Sequence, residues 1–145
     1  MRFAAVLFAL LALAACSKPA PPVGKWEGGT ESGGTMVAAR VEVLASGQVK
    51  VSAPDITNAV GSRDQMDELR SRLAADLANS WSDVTPRSFD FDGTTFRKPG
   101  GIAPQMVWDK ATGQMTLELY IGTSPALPVP LRPVSDFHDN PFPSG

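Results

Sequence analysis

The sequence contains little of what disulfide frameworks, metal sites and histidine-based active sites are built from. Among 145 residues there is one cysteine, Cys16, and one histidine, His138. A single cysteine excludes an internal disulfide, so the folded part must depend on its own hydrophobic core. A zinc site would need two or three further histidine or cysteine ligands. The sequence therefore predicts neither a structural metal nor a bound cofactor.

Charged residues are also few. Asp, Glu, Lys and Arg make up 19% of the chain, and the formal net charge is −2. No segment interleaves basic and aromatic residues in the way that binding to a phosphate backbone requires. We therefore expect no nucleic acid partner, and the length fits a single domain with one core.

Long apolar runs are absent except at the N-terminus, where residues 3–13 follow the positive charge of Arg2. A membrane-spanning helix needs about 20 apolar residues. This run is shorter, and the segment 17–22 that follows it is polar and rich in proline, which breaks helices. Residues 1–15 are therefore predicted to be a secretory signal peptide.

The four residues Leu13, Ala14, Ala15 and Cys16 resemble the lipobox of bacterial lipoproteins. The resemblance implies cleavage between Ala15 and Cys16, attachment of diacylglycerol to the Cys16 sulfur and acylation of the new amino terminus. Two or three acyl chains anchor a protein stably, whereas one does not. Ser17 is not the aspartate associated with inner-membrane retention, so the resemblance implies an outer-membrane lipoprotein facing the periplasm. The alternative is an ordinary secreted protein.

Proline-rich segments flank the region that carries regular hydrophobic patterns. Residues 16–23 are predicted to be a lipidated Pro/Ala tether that holds the body a short distance from the membrane. Residues 135–145 are predicted to be a Pro-rich tail. Between them, residues 24–134 are expected to form one β-rich domain.

Alternation with period two marks the strands of this domain. Apolar residues recur at every second position from Val37 to Val43 and again at Val49 and Val51, with a turn at 45–47 between the two runs, which predicts a hairpin with one buried and one wet face. Similar patterns later in the chain, separated by turns at 92–93 and 109–113, bring the count to about eight short strands. Their apolar positions are Phe89, Phe91, Phe96, Met106, Trp108, Met115, Leu117, Leu119, Ile121, Leu127, Val129 and Leu131.

One amphipathic helix is predicted from Arg63 to Asn79. Ser62 and Gln65 have the spacing of a capping box, which places the start of the helix. Met66, Leu69, Leu73 and Leu77 recur at three- and four-residue intervals and form one apolar stripe, which is typical of a helix packed on a sheet. We therefore predict an α+β fold, a mostly antiparallel meander with one covering helix.

The last predicted strand contains two prolines, Pro128 and Pro130. Alternate residues of a strand direct their N–H groups to the same side, so the two prolines remove two donors from one side. Such a strand can pair on one side only. We therefore expect it to form a blunted edge of an open sheet.

The tripeptide Gly24-Lys25-Trp26 resembles the G-x-W that opens the first strand of lipocalins and related small barrels. The resemblance implies an antiparallel barrel that holds an apolar ligand. It also implies that Trp26 closes the barrel floor against a basic residue late in the chain, for which Arg132 is the matching position.

Candidate catalytic residues are few, and each has a simpler interpretation. His138, between Asp136 and Asp139, could serve as a general base or a metal ligand; its place in a Pro-rich tail favours a solvated side chain. Asp90 and Asp92 could form an acid/base pair or bind calcium, but Asp92-Gly93 is already explained as a turn.

Glycines and tryptophans offer two further motifs. The glycine pairs 28–29 and 33–34 are not followed by Lys-Ser or Lys-Thr, so a phosphate loop is not indicated and a flexible hairpin loop is expected. Trp26, Trp81 and Trp108 could stack on sugar rings if exposed, and core packing is the favoured interpretation.

The sequence is compatible with two functions. The first is a non-catalytic, lipid-anchored envelope protein that binds a protein partner or a small apolar ligand between sheet and helix. The second is a small envelope hydrolase that uses Asp90, Asp92 or His138. An apolar cavity would favour a ligand, a filled core with an exposed aromatic patch would favour a protein partner, and converging carboxylates would favour the hydrolase.

Overall fold

The computed structural model describes residues 17–54 and 56–143. The predicted cleavage site and lipidation site, Ala15 and Cys16, lie outside the described residues. The helix is α1 (Arg63–Ser80), followed by a short 3₁₀ helix at Trp81–Asp83. The strands are β1 (Gly24–Ser32), β2 (Thr35–Val43), β3 (Val49–Ser52), β4 (Thr57–Asn58), β5 (Asp90–Phe91), β6 (Thr95–Arg97), β7 (Pro104–Trp108), β8 (Met115–Ile121) and β9 (Ser124–Val134).

The strands form one antiparallel half-barrel in the order β3-β2-β1-β9-β8-β7-β6-β5, with β4 beside β2. From β1 to β3 and from β5 to β9 each strand pairs with its neighbour in sequence, whereas β4 pairs with β2 and β9 returns to pair with β1. The predicted α+β class, the antiparallel meander and the single helix are confirmed. The half-barrel is open between β3 and β5, and the segment before β5 crosses this opening. There Val49 and Arg87 exchange two backbone hydrogen bonds of 2.8 and 2.9 Å.

β9 lies inside the sheet, so the expectation that it forms the edge is wrong. Residues 124–131 pair with β8, and Arg132 to Val134 pair with β1. One-sided pairing is thus confirmed around Pro128 and Pro130, where the donors toward β1 are missing. Arg132 and Val134 have those donors, and the strand therefore joins the two halves of the sheet.

Helix α1 begins and packs as predicted. The Gln65 amide donates to Ser62 Oγ at 3.4 Å, and the Ser62 amide donates to Gln65 Oε1 at 2.8 Å, which completes the capping box. The apolar stripe packs on the outer face of β2, where Met36 and Ala38 are buried. The predicted wet face of this strand is therefore wrong, because α1 and the segment after β9 cover it.

The glycine-rich stretch belongs mostly to β1 and is not a flexible loop. Only Gly33 and Gly34 form the turn, with φ values of 59° and 75°. A Cβ atom at Gly28 would lie 2.2 Å from the Pro130 carbonyl oxygen, and one at Gly29 would lie 2.3 Å from the Phe142 ring. Both glycines are needed because another part of the chain approaches β1 closely.

The inner face of the half-barrel holds the main core. It is formed by the period-two apolar positions of β1 to β3 and β6 to β9, with Phe96 and Met106 fully buried. Phe91 packs on Phe96 with ring centroids 4.5 Å apart, as the predicted meander around the Asp92-Gly93 turn requires. Within the described part of the chain, no helix has the length and apolar character needed to cross a membrane.

Candidate functional site

A cavity among the described residues lies on the inner face of the half-barrel, at its open side. Its volume is about 460 Å³. The segment that crosses from α1 to β5 forms one wall, and β3, β7 and β8 form the others. The lining residues are Val49, Val51, Asp83, Val84, Thr85, Arg87, Phe89, Lys98, Gln105, Met106 and Leu117.

Apolar and polar groups are unevenly placed in this cavity. Val51, Val84 and Phe89 are half-buried and form its apolar part, whereas Val49 and Met106 behind them expose no side-chain surface. Arg87, Lys98 and Asp83 are exposed and lie toward solvent. Among the described residues, neither Arg87 nor Lys98 has a carboxylate partner within 4 Å. This combination suits a small molecule with an apolar body and a polar or anionic end.

Among the described residues, the interface between α1 and the sheet is closely packed. Met36, Met66, Leu73, Leu77 and Phe142 fill it, each at most 9% exposed. These buried side chains offer no support for a ligand between sheet and helix, which stays a prediction. The cavity lies on the opposite face of the sheet, because the helix packs on the outer face of β2 while the half-barrel remains open.

Asp90 and Asp92 serve the local structure of the β5–β6 hairpin. Asp92 Oδ1 accepts from the Thr95 and Thr94 amides at 2.7 and 3.0 Å, and Asp92 Oδ2 accepts from Arg97 Nη1 at 2.6 Å. Asp90 Oδ2 accepts from the Gly100 amide at 3.1 Å. The interpretation of Asp92-Gly93 as a turn is confirmed, and each carboxylate has a local partner.

Asp92 should titrate far below an ordinary aspartate. The hydrogen bond from Arg97, followed by those from the Thr95 and Thr94 amides, lowers the pKa of Asp92 to about 2. Because the folded pKa lies below the unfolded value, ionised Asp92 stabilises the fold above about pH 4, and this contribution disappears as the pH falls through about 2. A carbon-13 NMR titration of the side-chain carboxyl tests this, and a midpoint near pH 4 would contradict it.

His138 is bonded to a buried carboxylate that the sequence analysis missed. Glu27 is fully buried, and its oxygens accept from the His138 amide at 3.0 and 3.2 Å. His138 Nδ1 contacts Glu27 Oε1 directly. The expectation of a solvated tail histidine is therefore wrong for the backbone and for Nδ1, although 61% of the side chain is exposed.

Two arginines complete the cluster around Glu27. Arg132 Nη2 lies 3.3 Å from Glu27 Oε1, and Arg40 Nε lies 3.9 Å from Glu27 Oε2. Arg40 also donates to the His138 carbonyl at 2.8 Å. Burial lowers the pKa of Arg40, while the negative charges of Glu27 and Asp139 oppose that shift.

The cluster attaches the C-terminal segment to the sheet. Arg132 donates to the Pro141 carbonyl at 2.9 Å, and Phe142 is buried beside Gly29. The sequence holds one signal for this, since Arg40 lies between the apolar residues Ala39 and Val41 of β2. Period-two alternation alone places Arg40 on a wet face, because the segment that covers it follows almost a hundred residues later.

The chemistry that the cluster offers is limited. Glu27 contacts Nδ1 of His138, and Nε2 of this exposed imidazole has no such partner in the described part of the chain. A histidine positioned by a carboxylate is one part of a general-base site, and the substrate site is the other. The Glu27–His138 pair lies on the outer face of β1, whereas Asp90 and Asp92 belong to the β5–β6 hairpin, so the structure does not bring the predicted hydrolase residues together. Among the described residues, no three His, Cys, Asp or Glu side chains are grouped to hold a metal ion.

The tryptophans occupy different environments. Trp26 is buried on the inner face and donates from Nε1 to the Gly113 carbonyl at 2.7 Å. Arg132 lies on the opposite face, across from Glu27 in the β1–β9 register. Trp108 packs against the core, as predicted from its position two residues after Met106, on the same face of the strand. Trp81 is half-buried, and Lys50 Nζ lies 4.5 Å from its ring centroid.

Comparison of the chain with protein-family models, with curated proteins and with solved structures finds no match.

Proposed function

We propose that the chain is a lipid-anchored protein of the bacterial envelope that catalyses no reaction and holds a small ligand with an apolar body in the half-barrel. The observation that supports this is the cavity of about 460 Å³ beside the half-buried Val51, Val84 and Phe89. Its volume lies in the range of ligand sites, roughly 300–1,000 Å³.

The composition of the cavity wall favours binding over catalysis. Asp83 is the only carboxylate among the described lining residues, and histidine is absent from them. General acid/base hydrolysis needs a positioned proton donor and a positioned acceptor. The predicted hydrolase residues Asp90, Asp92 and His138 lie outside this cavity.

The anchor rests on the lipobox and is tested by changing its cysteine. In a bacterial host, the wild-type chain should partition with membranes and have a mature mass that starts at Cys16 plus lipid. Cys16→Ala should abolish both, because only the thiol accepts the diacylglycerol. Ser17→Ala is the matched control and should behave like wild type. A soluble, cleaved and unlipidated wild-type protein would contradict the proposed anchor.

Ligand binding is tested on the mature chain with Cys16→Ser, which cannot carry lipid. A fluorescent fatty acid should bind, and Val51→Trp should weaken binding by about tenfold or more because the larger ring fills the cavity. Val107→Trp, on the outer face of β7, is the control and should change affinity by less than about twofold. Equal affinities of the two variants, or no binding by the Cys16→Ser chain, would contradict the proposed ligand site.

A further inference from the structure

The C-terminal segment, residues 135–143, turns back sharply after β9 and lies on the outer face of β1. Val134, the last residue of β9, pairs with Lys25, and the carboxylate of Asp136 lies 3.1 Å from the amine of the same lysine. The chain therefore reverses its direction at Ser135. The residues that follow run back along β1 toward the β1–β2 turn.

Side chains of the sheet hold the backbone of this segment. Glu27 accepts from the His138 amide at 3.0 Å, and Arg40 donates to the His138 carbonyl at 2.8 Å. Arg132 donates to the Pro141 carbonyl at 2.9 Å. Among the described residues, no backbone–backbone hydrogen bond links the segment to a strand. The domain therefore binds the segment as it would bind an extended peptide, through side chains that belong to the rest of the fold.

Two phenylalanines of the segment occupy separate places on the domain. The Phe142 ring is buried in the cluster between α1 and β2, where Gly29 leaves room for it. The Phe137 ring packs edge-on against Trp81 with centroids 4.9 Å apart, and Arg40 lies 4.8 Å from its centroid. We call this surface the segment groove; its residues are Glu27, Gly29, Arg40, Trp81 and Arg132.

We propose that the segment groove also receives the C-terminal segment of a second copy of this chain, so that two copies exchange their segments and form a dimer. The segment is the ligand whose fit to the groove is seen directly, and every copy carries one groove and one segment. Exchange is therefore reciprocal and closes with twofold symmetry. This inference goes beyond the proposed function and depends on neither the anchor nor the ligand.

The short connection between β9 and the segment favours exchange. A single residue joins Val134 to Asp136, and Pro133 restricts the backbone just before it. Short connections promote the exchange of a terminal element, because both arrangements make the same contacts and only the closed one needs a tight reversal. In the closed form the attached segment has an effective concentration of about 1 mM at its own groove. The exchanged dimer should therefore form as the protein concentration approaches that range.

Carbodiimide coupling of Lys25 to Asp136 tests the exchange without altering the groove. The reagent joins an amine to a carboxylate in direct contact, as these two groups are. The Cys16→Ser chain is prepared with natural nitrogen and with nitrogen-15, mixed in equal amounts in urea, and refolded at about 10 μM or about 1 mM before coupling. Mass spectrometry identifies links between copies, because these can combine the two isotopes. We expect the mixed-isotope fraction of this link to be at least about tenfold higher at the higher concentration.

Changing the length of the connection gives a variant and a matched control. Three glycines inserted after Ser135 relax the reversal and should lower the mixed-isotope fraction at the higher concentration by about fivefold or more. The same insertion after Gly122, in the β8–β9 turn, should leave it unchanged.

Three outcomes would overturn the exchange. The first is a link between Lys25 and Asp136 that joins residues of one copy only at both concentrations, or that does not form at all. The second is an equal effect of the two insertions. The third is a dimer in sedimentation velocity without mixed-isotope links, which would show association through another surface.

Discussion

Glu27→Ala is expected to lower the free energy of unfolding by about 3–5 kcal/mol, a large part of the stability of an ordinary domain. Glu27 is fully buried and faces Arg40, whose side chain is 6% exposed, together with Arg132 and His138. Removing the carboxylate leaves the buried Arg40 charge without compensation and releases the His138 amide.

Urea unfolding followed by circular dichroism measures this effect, and β1 provides a matched control. Glu31 lies on the same face of the strand and pairs with Arg70 at 2.6 Å, but it is 41% exposed. Glu31→Ala should cost no more than about 1 kcal/mol, because exposed ion pairs contribute little. Glu27→Gln retains the shape of the side chain and removes its charge. Its loss of unfolding free energy should be closer to that of Glu27→Ala than to that of Glu31→Ala. Similar losses for Glu27→Ala and Glu31→Ala would show that the cluster does not stabilise the fold.

Gly28→Ala is expected to destabilise the protein by about 3 kcal/mol, at the upper end of the range for overpacked sites. The added methyl group would lie 2.2 Å from the carbonyl oxygen of Pro130 and 3.2 Å from the Leu131 Cα atom. Both are backbone atoms of β9, so relief would require β1 and β9 to separate where they join the two halves of the sheet.

Thermal unfolding of Gly28→Ala should be compared with that of two other glycine variants. In Gly29→Ala the added Cβ atom would lie 2.3 Å from the Phe142 ring. This ring can move with the C-terminal segment, so the loss of stability should be smaller than for Gly28→Ala. Gly101→Ala lies in an exposed loop, where the added Cβ atom would lie 3.0 Å from the Lys98 carbonyl oxygen, and it should lose less stability than Gly28→Ala. A Gly28→Ala variant as stable as the wild type would mean that β9 does not approach β1 this closely.

Features that depend on neighbouring residues were predictable. The capping box at Ser62 and Gln65 places the start of α1 correctly, and its predicted end at Asn79 is within one residue of Ser80. The Asp92-Gly93 turn and the strands around it also follow the pattern. Such features arise from side-chain hydrogen bonds and periodicity over a few residues, which a single sequence displays directly.

The candidate sites were less predictable, because their parts lie far apart in the chain. Glu27 and His138 are separated by 111 residues, and neither position has a local pattern that marks its partner. The cavity is formed where the segment around Arg87 crosses from α1 to β5 and meets β3 at Val49. Period-two alternation identifies the inward residues but not the place where a sheet stays open.

The sequence by itself determined the α+β class, the helix and the main hairpins, because each depends on composition or on contacts within a few residues; the leader and lipobox stay predictions. The tertiary structure alone decided that β9 pairs with β1, that the C-terminal segment covers Arg40 and Glu27, and that the cavity lies inside the half-barrel. The reason is physical. Hydrogen-bond donors and apolar faces restrict which contacts a strand can make, and the free energy of packing distant segments together selects among the contacts that remain.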